Sequence, residues 1–220
     1  MAKVIPSKPA LILLYGFPGA GKTYFARQFC DTVQAVHIQG DRIRAELFEK
    51  PRYDKAENAV VTQLMNYMME EFLDAGISVV YDTNAMRASQ RHALREAARK
   101  AHAKPLTVWF QIDVDSAFIR STQRDRRRSD DKYAAVRDRN TFDNIVAHMQ
   151  NPGNTEDYVV VSGKHTFGTQ YTAVARRLRE LGLIGLGEDT SKTVKPGLVN
   201  LVPDPTGGRV DMSRRNIVIR

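Results

Sequence analysis

Leu11-Ile12-Leu13-Leu14-Tyr15-Gly16-Phe17-Pro18-Gly19-Ala20-Gly21-Lys22-Thr23 is the stretch that decides how the chain is read. Leu11 to Tyr15 is a continuous apolar run, as expected of a strand buried on both faces of a parallel sheet. Gly16 to Thr23 fits the pattern G-x-x-x-x-G-K-[ST], and Lys22 to Asp31 reads as a helix, so the pattern sits between a strand and a helix as a phosphate-binding loop must. Each residue type has a physical task. Glycines let the backbone turn its N–H groups onto phosphate oxygens, and the helix N-terminus adds partial positive charge. Lys22 can reach the β and γ oxygens of a nucleoside triphosphate, while the Thr23 hydroxyl can hold Mg²⁺. ATP and Mg²⁺ are therefore the expected cofactors. Gly16, Phe17, Pro18, Gly19, Ala20, Gly21, Lys22 and Thr23 are the expected nucleotide-binding residues, with Lys22 also counted as catalytic.

Working outward, strands and helices alternate. Ala35 to Ile38 reads as a second strand closing at Gly40-Asp41. Val61, Leu64, Met65, Met68 and Phe72 repeat at helical spacing until Gly76 stops them, and the methionines read as core fillers. Ile77 to Tyr81 is a third strand, ending in Asp82-Thr83-Asn84. An Ala- and Arg-rich helix follows from about Ala88 to Ala103, with Pro105 expected to end it. Leu106 to Ile112 is a fourth strand. Asp115 to Arg128 suggests a polar helix, and Phe142, Ile145, Val146 and Met149 form the apolar stripe of another. Tyr158 to Val161 is a fifth strand, and Val174, Leu178 and Leu181 mark a last helix with Gly182 behind it. The alternation implies an α/β three-layer sandwich around a five-stranded parallel sheet. Residues 1–182 form the expected domain. Residues 183–220 read as a linker (183–197) and a tail in which Leu198 to Val202 and Asn216 to Ile219 would pair as a hairpin.

Of 220 residues, 42% are apolar and 26% charged, ordinary for a soluble globular protein. A single cysteine, Cys30, excludes an internal disulfide framework and a cysteine metal site, and it reads as a buried, inert thiol. The apolar run from Ala10 to Tyr15 is too short for a secretory leader and leads directly into the glycine loop, and nothing approaches the length of a membrane span, so the cytoplasm is the expected location. The net charge of +8 argues mildly for a polyanionic partner. That charge is densest from Arg120 to Arg139, where Asp125, Asp130, Asp131 and Asp138 interrupt it.

Beyond the loop, several residues are candidates for chemistry. Val79-Val80-Tyr81-Asp82 is followed by Thr83 and Asn84, so the glutamate that motor ATPases use to activate water is missing. A phosphotransferase instead needs a base for an incoming hydroxyl. Asp41, just past the carboxyl end of the second strand, is placed for that task, although a helix N-cap fits it equally well. Arg44 follows three residues later and can face the same cleft. Asp82 can order the Mg²⁺ shell or the acceptor, or simply cap a turn. Arg120, Arg124 and Arg128 would form one guanidinium stripe on a helix, either closing over the γ-phosphoryl group or forming a solvated charged face. The histidines show no metal-ligand spacing and read as structural or surface. Ser162-Gly163-Lys164-His165 follows the last strand, as an adenine-side loop or an ordinary one.

Gly16–Thr23, Asp41-Arg42-Ile43-Arg44 as D-x-x-R, Asp82-Thr83-Asn84 and the Arg-rich segment together resemble the polynucleotide 5′-hydroxyl kinase and zeta-toxin-related branch of the P-loop kinases, over roughly Leu11 to Leu181. The resemblance implies an ATP-dependent kinase with a helical lid. It implies Asp41 as the general base and Arg44 as a contact to the acceptor's phosphate, with Asp82 and Asn84 beside the acceptor. Lid arginines among Arg120, Arg124 and Arg128 would contact the donor phosphates, with Arg124 central and catalytic. The acceptor so implied is a nucleic-acid 5′-hydroxyl. Two other readings compete: a small-molecule kinase on the same scaffold, and an ATP-binding interaction protein that engages a partner through its tail.

Overall fold

Strand β1 (Ala10–Gly16) is buried along its whole length, because it lies in the middle of the sheet with a helical layer on each face. The computed structural model describes residues 3–83, 87–123, 132–135 and 137–185. In chain order, β1 is followed by α1 (Lys22–Thr32), β2 (Ala35–Gln39), α2 (Gly40–Leu47), α3 (Lys55–Asp74), β3 (Ser78–Asp82), α4 (Ala88–Lys100) and β4 (Lys104–Gln111). Then come α5 (Val114–Thr122), α6 (Arg139–Ala147), β5 (Tyr158–Ser162) and α7 (Phe167–Glu180). The five strands are all parallel in the order β2-β3-β1-β4-β5. Side-chain alternation divides β1 between two cores. Ile12 and Leu14 pack with Phe25, Phe29, Val80, Val108 and Val174 on the α1 and α7 face. Leu11 and Leu13 pack with Met65, Met69, Leu73, Val79 and Leu94 on the α3 and α4 face. Met65 is thus a core filler as the helical spacing implied, Met68 packs half-buried against the same core, and Met69, outside the expected stripe, is fully buried in it.

Three expectations shift. Pro105 does not end a helix: α4 stops at Lys100, His102 takes φ 55, and Pro105 sits inside β4 opposite Leu11. Proline is tolerated there early in the strand, where its missing N–H can be spared. Asp41 is not the cap of the helix after β2. Gln39 holds that position without a side-chain bond, and Asp41 lies one step inside the first turn. Beyond Gly182, which takes φ 69 just past the C-cap Leu181, the residues Leu183 and Ile184 are 2% and 8% exposed and belong to the α1/α7 core. Composition placed them in the linker, and burial joins them to the domain. The expected polar helix from Asp115 is observed as α5, ending at Thr122. Arg124 to Arg128 and the tail hairpin lie outside the described residues.

A buried ion pair ties α4 to the segment before β5. Arg91, fully buried, donates from Nε to Glu156 Oε2 at 2.9 Å and from Nη2 to Oε1 at 3.0 Å. Arg95 approaches the same carboxylate at 3.6 Å and donates to Thr155 O at 3.2 Å. The Arg91 guanidinium also lies 4.7 Å over the Tyr15 ring, whose hydroxyl donates to Asn151 Oδ1. Removing one partner of such a pair strands a charge in a poorly solvated interior. Arg91→Met should therefore cost about 3–5 kcal/mol in urea unfolding. Lys104→Met, which breaks a half-exposed 3.8 Å pair with Asp157, should cost about 1 kcal/mol or less in the same measurement.

Candidate active site

The glycine loop wraps from β1 into α1 and is pressed from outside by two other backbones. Gly19 takes φ +86, and a methyl placed there would lie 2.2 Å from Ala117 O on α5. A methyl at Gly163, in the loop after β5, would lie 2.7 Å from Ala20 O. Only glycine permits these approaches, so the loop's shape is fixed by α5 and the β5–α7 loop as much as by its own sequence. Lys22 is 8% exposed, and its Nζ donates to Gly16 O at 2.8 Å and Phe17 O at 2.9 Å. Those bonds hold the ammonium over the loop's concavity. Thr23 lies in the first turn of α1, half-buried and facing the cleft.

The cleft in front of the loop measures about 1410 Å³ and runs over the carboxyl ends of the strands. On the β2/β3 side it is lined by Asp41 and Arg44 from α2, by Asn58, Thr62, Asn66 and Glu70 from α3, and by Tyr81 and Asp82. Asp41 is half-buried in the first turn of α2, where the helix macrodipole favours its negative charge. Arg44 is 6% exposed and committed to neighbours: Nη1 donates to Glu57 Oε2 at 3.0 Å, Nη2 to Asn58 Oδ1 at 2.5 Å, and the Tyr53 ring lies 4.6 Å beneath it. Glu57 in turn accepts the backbone N–H groups of Arg52 and Tyr53. Burial opposes its charge, but those donors with Arg44 and Arg52 outweigh burial and hold the carboxyl below its ordinary value. Glu57 and Tyr53 carried no signal in the sequence, because this network closes only when the α2–α3 connection folds back.

Asp82 ends β3, and its Oδ2 lies 3.0 Å from His37 Nε2. The two side chains share a sheet face because Gln39 pairs with Asp82 and His37 with Val80. A histidine read as structural or surface thus orients a candidate site carboxylate, and only the strand register, with His37 two residues before the partner of Asp82, discloses it. Burial pushes the Tyr81 phenol up, so it stays protonated and donates to Asn66 Oδ1 at 2.7 Å. That bond turns the amide nitrogen of Asn66 into the available donor.

On the β4/β5 side, Arg120 Nη1 donates to Gly163 O at 2.8 Å, and Gln170 Nε2 donates to Ser162 O at 2.8 Å. Lys164 pairs at 2.7 Å with Asp113, the N-cap of α5. Hydrogen bonds from Lys164 and then Ser116 hold the Asp113 carboxyl well below the usual range. Ser162 to His165 therefore forms an ordered wall of the cleft. Asn84, Arg124 and Arg128 lie outside the described residues. Cys30 is set apart from this chemistry: burial pushes its thiol up to about 12, and nearby Lys3 only partly opposes this.

Thr23 in the first turn of α1 and Asp82 at the end of β3 offer hard oxygen donors lining one cleft, the donor chemistry that suits Mg²⁺ held largely by phosphates and water. Among the described residues there is no cluster of three or more His, Cys, Asp or Glu that would hold a metal by itself. No helix among them is long and apolar enough to cross a membrane.

The L-seryl-tRNA(Sec) kinase of Methanococcus maripaludis is 22% identical over 119 residues, 53% of this chain and 47% of that protein. The match spans about half the length of that relative. Among solved structures, a gluconokinase from Sinorhizobium meliloti 1021 superposes with a TM-score of 0.57 at 16% identity, covering 79% of this chain and 93% of that one. Chaetomium thermophilum Kti12 in complex with ADP-AlF3 gives 0.58 at 16% identity over 80% and 99%. The Mycobacterium tuberculosis APS kinase CysC with AMPPNP and APS gives 0.52 at 17% identity over 79% and 99%. The AAA_33 family model, described as an AAA domain, matches residues 11–152. The chain belongs to the AAA_33 family and has the P-loop kinase fold.

Proposed function

We propose that this protein is an ATP-dependent kinase that transfers the γ-phosphoryl group to a hydroxyl of a small, uncharged polar acceptor. The observation that carries the acceptor class is the commitment of Arg44 to Glu57 at 3.0 Å, with only 6% exposure. A cation so paired is poorly available for a phosphate or carboxylate on the acceptor. Besides the carboxylates of Asp41, Glu70 and Asp82, that side offers amides and hydroxyls, namely Asn58, Thr62, Asn66, Tyr81 and Gln90, and no further cation among the described residues. Such groups suit a polyhydroxylated molecule.

In this reading the loop N–H groups, the α1 N-terminus and Lys22 hold the triphosphate. The carboxylate of Asp41 accepts the proton of the acceptor hydroxyl as its oxygen bonds to the γ phosphorus and ADP leaves. Thr23 and Asp82 would hold Mg²⁺, which when bound neutralises phosphate charge. His37 fixes the Asp82 carboxylate, and Asn84, Arg124 and Arg128 keep the acceptor and donor roles the family resemblance gives them. Residues 1–184 form the kinase domain, with Leu183 and Ile184 in its core, and 185–220 a linker and tail.

A second reading keeps the acceptor hydroxyl on nucleic acid, at a 5′ end or on an aminoacyl-tRNA. It is favoured by the net charge of +8 and by the likeness to the seryl-tRNA kinase. Labelled γ-phosphate transfer to a panel of neutral sugars, polyols and nucleosides, 5′-hydroxyl oligonucleotides and seryl-tRNA separates the two. Saturable transfer to a neutral small molecule is expected. Transfer to the nucleic acids alone, falling steeply with salt, would replace the first reading by the second.

Two substitutions test the roles. Asp41→Asn should lower kcat on the order of 100-fold with ATP affinity nearly unchanged, as loss of a general base does. Normal specific activity in a destabilised protein would reduce Asp41 to a helix-stabilising charge. Lys22→Ala should keep the fold but weaken ATP binding by about 10-fold or more in calorimetry, the loss of one charge-assisted contact.

A further inference from the structure

We propose that Arg120 is a positioning residue for the nucleoside end of ATP, holding the loop after β5 as a wall of the site, and that it does not act on the triphosphate. The inference rests on ATP binding alone, not on the identity of the acceptor. Its starting point is sheet order. The phosphate loop leaves the central strand β1, and the candidate base Asp41 and the carboxylate Asp82 lie on the β2/β3 side. The γ-phosphoryl group must face them, so the remainder of the nucleotide extends towards β4 and β5. What stands there is Gly163–His165 after β5, with Arg120 of α5 beside it.

Ser162 ends β5 opposite Gln111, Gly163 N donates to Gln111 O at 2.8 Å, and His165 N donates to Ser162 O at 3.2 Å. Gly163 cannot carry a side chain to anchor the turn that follows, because any Cβ would meet Ala20 O. Two of the carbonyls are held by side chains from neighbouring helices as well. Gln170 on α7 donates to Ser162 O, and Arg120 on α5 donates to Gly163 O, each at 2.8 Å. The two bonds reach consecutive carbonyls from different helices. The acceptor in each case is a carbonyl, which fixes the Gln170 amide with Nε2 towards the loop. Lys164 completes the frame by pairing with the cap of the helix that carries Arg120. The Nη1 group of Arg120 is thus turned onto a main-chain wall, whereas an arginine that acts on phosphate aims its fork at the ligand.

Inorganic tripolyphosphate separates the two roles, since it fills the phosphate loop and lacks the nucleoside. ATP and tripolyphosphate are titrated calorimetrically, with magnesium, into the full-length wild type and the variants R120M, R120K and Q170L, each verified as folded by thermal unfolding. For R120M, ATP affinity should fall on the order of 10-fold, as for loss of one hydrogen bond from a charged donor. Tripolyphosphate affinity should change less than about 2-fold. R120K, which can still donate to Gly163 O, should recover most of the ATP affinity, and Q170L should show the same ATP-selective loss as R120M. Equal losses for both ligands in R120M would place Arg120 on the phosphates and overturn the proposal, as would unchanged ATP affinity. Failure of the wild type to bind ATP would overturn the nucleotide reading itself, and this proposal with it.

Discussion

The glycine loop touches two foreign backbones at distances that leave no room for a single carbon atom. Gly19 lies against Ala117 O of α5, and Gly163 lies against Ala20 O. Everything that makes the cleft specific depends on that three-way contact. It brings α5 and the β5–α7 loop onto the loop that ends the central strand, and it does so with main-chain atoms that cannot adopt alternative rotamers. The loop's concavity is therefore set before any ligand arrives, which is the preorganisation that electrostatic stabilisation of a charged transition state requires.

The sheet supplies the second half of the arrangement. Because β3 lies between β1 and β2, the phosphate loop, Asp82 and Asp41 come from neighbouring strand ends and the helix that follows one of them. The chain separates Lys22 from Asp82 widely, yet the β1–β3 register of Leu13 opposite Tyr81 brings their elements together. Charge is handled differently on the two sides of this cleft. Towards β2, Arg44 is neutralised by Glu57 and the lining is amide, hydroxyl and carboxylate. Towards β5, Arg120 and Lys164 are engaged with a carbonyl and a carboxylate. Lys22 is the cation held over the loop itself.

Much of this was legible in the residues, for identifiable reasons. The run Leu11–Tyr15 had to be a doubly covered strand, since an unbroken apolar run before a glycine turn has few other fates, and the phosphate-loop spacing fixed what followed. Alternation of strands and helices then led to the parallel sheet. Local chemistry misled where tertiary context outweighed it. Pro105 reads as a helix terminator, but its place early in β4 spares the bond it cannot make. Leu183 and Ile184 sit in a polar, glycine-rich stretch, and only the core against which they pack distinguishes them from linker. The partners of the site residues were the least visible. Nothing in Glu57 announces that it will neutralise Arg44, and nothing in His37 announces Asp82, because those pairings arise from register and from the turn between α2 and α3.

The sheet order also bears on how the protein reaches its native state. The central strand finds neither of its neighbours nearby in sequence: Leu11 pairs with Val79 on one side and Pro105 on the other. Such long-range pairing is slow to form, because loop-closure entropy is lost before the contacts compensate for it. Until both pairings exist, the loop has no Ala117 or Gly163 to lean on and no Asp82 beside it. An incompletely folded chain therefore has no nucleotide site, and ATP binds the finished fold alone. A ligand with that preference stabilises the native state by mass action, about 2.7 kcal/mol when its concentration is a hundred times its dissociation constant. In the proposed reading ATP would also serve as a folding ligand, and its depletion would weaken the protein as well as idle it.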